Sequence, residues 1–425
     1  MKTNLLHSGF AGIIKLLALI TIFLVISQKS SAQKNLMGSW TGKLSVESQT
    51  LTLVLNFRTD EDGKVCCLLD SPDQGVKGIK TEILAANDMS VELSVPQLTI
   101  SYKGMMYRGS LVGTFSQFGR EFPLTFKYGK EKLSRPQTPV GPFPYVVEQV
   151  SFKNENAGAS FKGSLTIPEN AGPDTPVVLM VTGSGQQNRD EEIFEHKPFM
   201  VIADHLARYG IASLRYDDRG FGESEGGDVK NATTVDFQQD AKCAADFLRS
   251  SGRFGRIGVL GHSEGASIAF MLGSSSDADF VISLAGVGVK GDEAFTAQAN
   301  KVLEIKGINK EYSVEEYRNE VKSLSSPWMD WFLDYDPMDH IKSCKCPVFA
   351  INGGKDIQVI ASQNLTAIKD VILSGNSNFV KEYPQLNHLF QNCQTGAVEE
   401  YRLLEETISI EVLNDLTKWI LSIIN

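Results

Sequence analysis

Three observations along this 425-residue chain predict an α/β protein, a mostly parallel sheet with helices on both faces, preceded by a small all-β domain. Residues 35–130 carry an apolar pattern of period two, and residues 133–145 hold four prolines and no period. From Tyr145 onward, apolar strands alternate with amphipathic helices. The length allows two or three domains, each large enough to bury a core. With 42% hydrophobic and 22% charged residues, the chain is not of the disordered or fibrous classes. A formal charge of −10 argues against a nucleic-acid binder, because phosphate contacts need clustered Lys and Arg.

The N-terminus has Lys2 and Lys15 ahead of an uncharged apolar run from Leu16 to Ile26, followed by Ser30, Ser31 and Ala32. This is the pattern of a signal peptide over residues 1–32, cleaved after Ala32, and implies a periplasmic or secreted protein. The rival reading, a retained anchor, meets a run that is short for crossing a bilayer. No Cys follows the run, which argues against lipid attachment. The segment carries three lysines and no acid, so its loss takes the charge from −10 to −13. The six cysteines are scattered thinly, and Cys344-x-Cys346 is tighter than the usual C-x-x-C spacing, so thiols rather than a disulfide framework or metal site are expected.

Residues 33–132 read as a β-sheet or barrel of about eight strands. "QTLTLVLNF" sets Leu51, Leu53, Leu55 and Phe57 on one face, and "VELSV" and "EFPLTFKY" repeat the alternation. "GSW" at 38–40 is similar to the Gly-x-Trp at the first strand of lipocalin-like barrels, where the Trp plugs the barrel end. Residues 133–144 form a stiff Pro-rich linker.

Residues 145–425 then open with an antiparallel pair, "YVVEQVSF" and "FKGSLTIP", before the fully apolar strand "PVVLMVTG". Helix "KPFMVIADHLARYG" is closed by Gly210, and strand "IASLRYD" follows. After it come helix "TVDFQQDAKCAADFLRS", strand "RIGVLG", helix "ASIAFMLG" and strand "FVISLAG". Continuous apolar strands between amphipathic helices mean a parallel sheet covered on both sides. Residues 287–344 interrupt the alternation with a helical insertion rich in Trp328, Trp331, Phe332 and Tyr335, placed to cap the carboxyl ends of the strands. Strands "PVFAINGGKD" and "NFVKEYPQLNHLF" and a final apolar-faced helix complete the chain.

Two segments match G-x-S-x-G: Gly261-His-Ser263-Glu-Gly265 and Gly222-Glu-Ser224-Glu-Gly226. A serine becomes nucleophilic when a tight strand-to-helix turn exposes it beside a base. Ser263 follows an apolar strand and opens a helix, whereas Ser224 sits in polar, Gly-rich sequence with no helix leaving it. In one recurring order of the serine triad, an acid and then a histidine follow the serine. Only His340 and His388 lie beyond Ser263, and His340 belongs to the charged "DPMDH". His388 lies just past the strand ending in "KEYP", and Asp356 just past "PVFAI". This order makes Ser263 the nucleophile, His388 the general base and acid, and Asp356 the group that orients His388.

Together, the elbow "GVLGHSEG", the acid loop "GGKDIQV" and the histidine loop "LNHLF" resemble the serine esterases of the α/β-hydrolase superfamily. "VTGSGQQNRDEE" at 181–192 and "RYDDRGFGES" at 215–224 bring the likeness closer to bacterial exported esterases. The resemblance covers residues 145–425. It implies an α/β-hydrolase fold with a helical cap, and an oxyanion hole built from the backbone N–H of Glu264 and that of Ser184, with Gly185 an alternative donor. Thr182 stands where relatives often carry His. Arg189, Asp190, Glu191, Asp217, Asp218 and Arg219 are expected to form scaffold ion pairs.

The reading that follows is a serine carboxylesterase acting on small to medium acyl esters through an acyl-enzyme, with no metal or organic cofactor. A serine peptidase on the same fold is the enzymatic alternative, although the N-terminal domain is too small for the propeller such peptidases carry. A non-catalytic binding protein is the alternative from a different class. The expected partner is a small-molecule ester; no nucleic acid and no stable membrane span after cleavage are expected, and the oligomeric state is open.

Overall fold

The computed structural model describes residues 36–424 apart from 47–48, 61–62, 75, 88, 130–132, 323–325 and 373–376. The expected signal segment, residues 1–32, lies outside the described residues. Among those described, no helix is long and apolar enough to cross a membrane. The chain forms two compact units, residues up to 132 and residues from 133 onward.

The first unit is a closed antiparallel barrel of eight strands, β1 to β8: Gly38–Val46, Gln49–Thr59, Val65–Ser71, Val76–Asn87, Ser90–Val95, Ile100–Tyr107, Ser110–Gln117 and Arg120–Tyr128. Each strand pairs with the next, and β8 returns to β1 through Thr41↔Lys127 and Gly42↔Phe126, which leaves no open sheet edge. The period-two pattern sets the inward face: Trp40 and Leu44 on β1, Leu53, Leu55 and Phe57 on β2, and Leu124 and Phe126 on β8 are all buried. At one end Trp40 is 2% exposed, donates its indole N–H to the Leu36 carbonyl at 2.8 Å and meets Tyr128 edge-on. Gly113 marks the closest strand approach, since a Cβ there would lie 2.1 Å from the Lys103 carbonyl oxygen.

The second unit carries the predicted α/β sheet. Its strands are β9 (Tyr145–Asn154), β10 (Ala159–Pro168), β11 (Val177–Val181), β12 (Ala212–Tyr216), β13 (Glu225–Gly226), β14 (Ile257–His262), β15 (Phe280–Leu284), β16 (Val348–Gly353) and β17 (Phe379–Tyr383). The order is β13-β10-β12-β11-β14-β15-β16-β17, with β9 paired to β10. From β12 to β17 every pairing is parallel, and β10 joins β12 antiparallel. Helices Pro198–Arg208 (α1) and Ile410–Ile424 pack on one face, around Phe199, Leu260, Phe349 and Trp419. Helices Thr234–Ser250 (α2), Glu264–Ser274 (α3) and Ala361–Val371 cover the other, around Leu179, Val259, Phe270 and Ile368. With both faces covered, the central strands are buried at every position, which is why they read as unbroken apolar runs.

Among the described residues, four helices run between β15 and β16: Gly291–Ile305 (α4), Val314–Val321 (α5), Pro327–Asp334 (α6) and Met338–Ser343 (α7). Arg318 of α5 fastens this group, pairing with Asp292 and Asp334 at 2.7 Å each. The last helix departs from a simple cap, because its Ile341 is fully buried in the sheet core. The Pro-rich stretch after residue 132 differs from a free spacer as well. The Arg135 guanidinium donates to the carbonyls of Phe194, Arg402 and Leu404, and Gln137 bonds the backbone at Thr407 and Ile408, so this segment is strapped to the second unit.

Arg219, just past β12, forms a buried fork with Asp240 of α2 at 2.6 and 2.8 Å, both side chains 3% exposed, and Asn154 at the end of β9 donates to the same carboxylate. Arg219→Ala leaves that carboxylate buried without its cation, which costs about 3–5 kcal/mol. A matching fall in the denaturant midpoint of the second unit is expected, and an unchanged midpoint would show that the pair contributes nothing.

Candidate active site

The chain leaves β11 for β12 on one side and then returns to β14 on the other, so the strand order reverses beside β11. In an open α/β sheet the crevice outside the carboxyl ends at such a reversal is where ligands bind. Two turns meet there: residues 182–185 after β11 and the turn at Ser263 after β14.

Ser263 stands between β14 and α3 with φ 54° and ψ −116°, a conformation that L-residues seldom adopt. Holding it costs about 1–3 kcal/mol. Its N–H donates to the Leu284 carbonyl of the neighbouring strand at 2.9 Å. The flanking glycines follow from contact: a Cβ on Gly261 would lie 1.9 Å from the Gly265 carbonyl oxygen, and one on Gly265 would lie 2.3 Å from that of Val181. No larger residue fits without moving backbone.

Asp356 and His388, each just past a strand, come together with Asp356 Oδ2 2.7 Å from His388 Nδ1. The second Asp356 oxygen accepts the N–H groups of Gln358 and Val359 at 2.8 and 2.9 Å, so the carboxylate is held from both sides. Both side chains are buried, and His388 lines the same cavity as Ser263. That cavity is about 300 Å³. Phe295 of α4 and Trp328 and Phe332 of α6 form its wall. Trp331 and Tyr335 stack on each other at 4.7 Å instead, and neither lines it.

The turn after β11 lies against the serine, for a Cβ on Gly183 would sit 3.3 Å from the Ser263 Cβ. The Gly183 N–H is taken by Glu191 at 2.8 Å, which leaves Ser184, also lining the cavity, as the next donor in the turn. Glu264 is the first residue of α3, where N–H groups have no acceptor within the helix. Its side chain turns away from solvent, accepting from the Thr234 hydroxyl at 2.6 Å and the Trp328 indole at 2.8 Å, with the Ser184 hydroxyl a further donor. Burial raises the pKa of this carboxyl.

Behind His388 lies a second buried acid–histidine pair, whose role the sequence did not reveal. His262 Nε2 is 3.0 Å from the His388 carbonyl, which only accepts, so Nε2 carries a proton. Nδ1 is 2.9 Å from Glu191 Oε1. Burial works against a charge on His262, but Glu191 and the carbonyl outweigh it, and the His262 pKa lies above the ordinary value. One carboxylate oxygen thus ties the turn at Gly183 to the ring beneath His388, the two rings being 4.6 Å apart. Glu191 was expected among scaffold ion pairs, and nothing local in "NRDEE" marks it out.

Ser224 occupies a different environment. It is 5% exposed, its hydroxyl donates to the Asp217 carbonyl at 2.8 Å and accepts from the Lys162 N–H at 3.0 Å, and it does not line the cavity. Arg189 pairs with Asp217 at 2.7 Å and with Glu223, and Arg215 pairs with Asp190. Asp218 is half-buried and accepts from the Thr182 hydroxyl and the Gln187 N–H, holding the far side of the same turn. Thr182 is therefore engaged in bracing this turn.

A reversed parallel sheet with a strained serine turn at the reversal and a histidine loop after the last strand is the architecture of the α/β-hydrolase fold, and the chain is similar in sequence to esterases and related hydrolases. Residues 196–312 match the family model described as Serine aminopeptidase, S33. The chain is similar to Esterase EstD of Thermotoga maritima, 28% identical over 294 residues that span 65% of this chain and 69% of that protein. Among solved structures, Est1E from Butyrivibrio proteoclasticus with ferulic acid bound aligns over 65% of this chain and 99% of its own, at 16% identity and a TM-score of 0.48. The Pyrococcus furiosus esterase Pf2001 aligns over 70% and 100%, at 17% identity and a TM-score of 0.46.

Burial pushes Asp218 up to about 8, against the opposing hydrogen bonds from Gln187 and Thr182. A carboxyl whose folded pKa is raised contributes stability below its unfolded value near 3.8, and loses it as pH rises to about 8. Asp218→Asn stays neutral and keeps both hydrogen bonds. Its thermal midpoint is expected to exceed that of the wild type by at least ~2 °C at pH 8 and to converge with it toward pH 4. Parallel pH profiles for the two proteins would refute this.

Proposed function

We propose that the second unit is a serine carboxylesterase with Ser263 as nucleophile, His388 as general base and acid, and Asp356 holding the His388 tautomer. The observation that carries this reading is the strained turn at Ser263, facing one cavity together with His388, whose Nδ1 is held 2.7 Å from Asp356. With Nδ1–H committed to the carboxylate, the other ring nitrogen is free to take the serine proton as Ser263 attacks the ester carbonyl. Asp356 then offsets the imidazolium charge. The N–H groups of Ser184 and Glu264 stabilise the oxyanion of the tetrahedral intermediate. The alcohol leaves with the proton from His388, and water, activated by the same histidine, cleaves the acyl-enzyme.

Cavity size and lining favour small to medium acyl groups. About 300 Å³ is at the small end of ligand pockets, and the aromatic wall of Phe295, Trp328 and Phe332 closes it. The name of the matched family model brings in aminopeptidase action as a second reading. Capture of a free α-ammonium needs an uncommitted carboxylate, and the acid lining the cavity, Glu191, already serves Gly183 and His262. This favours ester over N-terminal peptide substrates. We also infer export, from the apolar run and small residues ahead of Gln33.

Labelling with a fluorophosphonate probe, together with turnover of p-nitrophenyl esters and aminoacyl anilides, tests the assignment. Ser263→Ala is expected to lose labelling and at least ~10³-fold of ester turnover. Ser224→Ala, which leaves a buried N–H and carbonyl without partners, is expected to lose about 1–3 kcal/mol of stability while its folded fraction keeps both labelling and turnover. Butyrate esters are expected to outpace palmitate esters. Persistent labelling of Ser263→Ala would remove the nucleophile assignment, and faster anilide than ester cleavage would favour the peptidase.

A further inference from the structure

The barrel is filled unevenly. At the Trp40 end, Trp40, Phe57, Tyr102 and Phe126 pack its interior, and the void among the neighbouring residues is only about 10 Å³. Tyr102, buried there, donates its hydroxyl to the Leu111 carbonyl at 2.9 Å, so even the polar atom in this half is satisfied. Toward the opposite end, the inward positions carry smaller side chains and leave a cavity of about 700 Å³. Its wall is formed by Leu44, Leu51, Leu53, Leu69, Ile100 and Phe115. A protein interior ordinarily leaves few voids larger than a water molecule, because unfilled space forfeits dispersion contacts. This one falls within the range of small-molecule pockets, and an eight-stranded barrel is just wide enough to hold one small ligand.

The lining narrows the class of occupant. The deep wall is aliphatic with a single aromatic ring and offers no charged or hydrogen-bonding side chain, so a sugar or a nucleotide would enter with its polar groups unpaired. Polar side chains gather at the mouth: Ser71, Gln74, Gln97 and Gln117. Ser71 Oγ and Gln74 Oε1 are 2.7 Å apart, and Gln117 reaches the Leu98 carbonyl. Val76 and Leu98, each 39% exposed, add an apolar lip. An apolar tube with a polar rim matches a molecule with one aliphatic chain and one polar end.

We propose that the barrel is a binding site for a single long acyl chain, inserted methyl end first with its polar head at the rim between the β3–β4, β5–β6 and β7–β8 turns. This site is separate from the cavity at Ser263 and does not rest on the esterase reading. The same chain chemistry occurs in a free fatty acid and in its uncharged glycerol monoester. Either head would be met by the amides of Gln97 and Gln117 at the rim.

The test is titration of the purified protein with the fluorescent fatty acid cis-parinaric acid, before and after its serine nucleophile is blocked with a fluorophosphonate. Saturable binding, one molecule per chain, is expected to survive the block and to be displaced by palmitate or by a non-hydrolysable monopalmityl glycerol ether. Stronger displacement by palmitate than by the ether would identify the acid as the source. Equal or stronger displacement by the ether would identify the neutral head. Leu53→Trp places an indole in the empty space and is expected to weaken binding at least tenfold while p-nitrophenyl acetate turnover stays unchanged. Leu44→Phe, a smaller intrusion, should give an intermediate loss if the tryptophan variant fails to fold. The proposal falls if binding disappears on blocking the serine, if neither filling variant weakens it, or if titration shows only unsaturable partition.

Discussion

Ser263 can hold its strained backbone only because two side chains are missing around it. Gly265 lets α3 begin in contact with the carbonyls of Val181 and Thr182, and Gly261 lets the end of β14 pass under that helix start. This close contact between β11, β14 and α3 brings the turn at Gly183 against the serine. It also sets the start of α3 beside the crevice. The cavity and the donors at its edge depend on backbone proximity that a single methyl group would abolish.

The groups around that turn are bound to one another more than to their own strands. Glu191 reaches Gly183 and His262, His262 reaches the carbonyl of His388, and His388 reaches Asp356, so the loops following β11, β16 and β17 and the last residue of β14 form one hydrogen-bonded chain. Each member is buried, and an unpaired member in that environment would pay a full desolvation penalty. Such a network constrains the histidine loop to one position relative to the serine turn. On the cap side, the Trp328 indole and the Thr234 hydroxyl fix the Glu264 carboxyl, which joins the wall of the cavity to the residue after Ser263.

The N-terminal barrel shows how one sequence pattern supports two kinds of interior. Alternation determines which side chains face inward along all eight strands. Aromatic residues fill one half of the tube, and aliphatic residues line the other without filling it. A closed sheet tolerates the hollow because its hydrogen bonds run around the circumference and do not depend on a packed centre.

Much of the architecture was legible in the sequence. The change from period two to alternating strands and helices marks the passage from barrel to parallel sheet, since burial on one face or on both writes a different apolar pattern. That Ser263, unlike Ser224, stands on a strand-to-helix turn was also legible, since it depends on the segments immediately before and after each serine. Asp356 and His388 could be found because each stands directly beyond an apolar strand. Other features come only from contacts between distant segments. The Glu191–His262 pair joins residues 71 apart in sequence, and Glu191 is locally no different from the other charges of "NRDEE". The docking of Arg135 and Gln137, the burial of Ile341 and the hollow half of the barrel likewise depend on what faces each residue across space. Periodicity reports that a side chain points inward, whereas tertiary structure decides what it meets there.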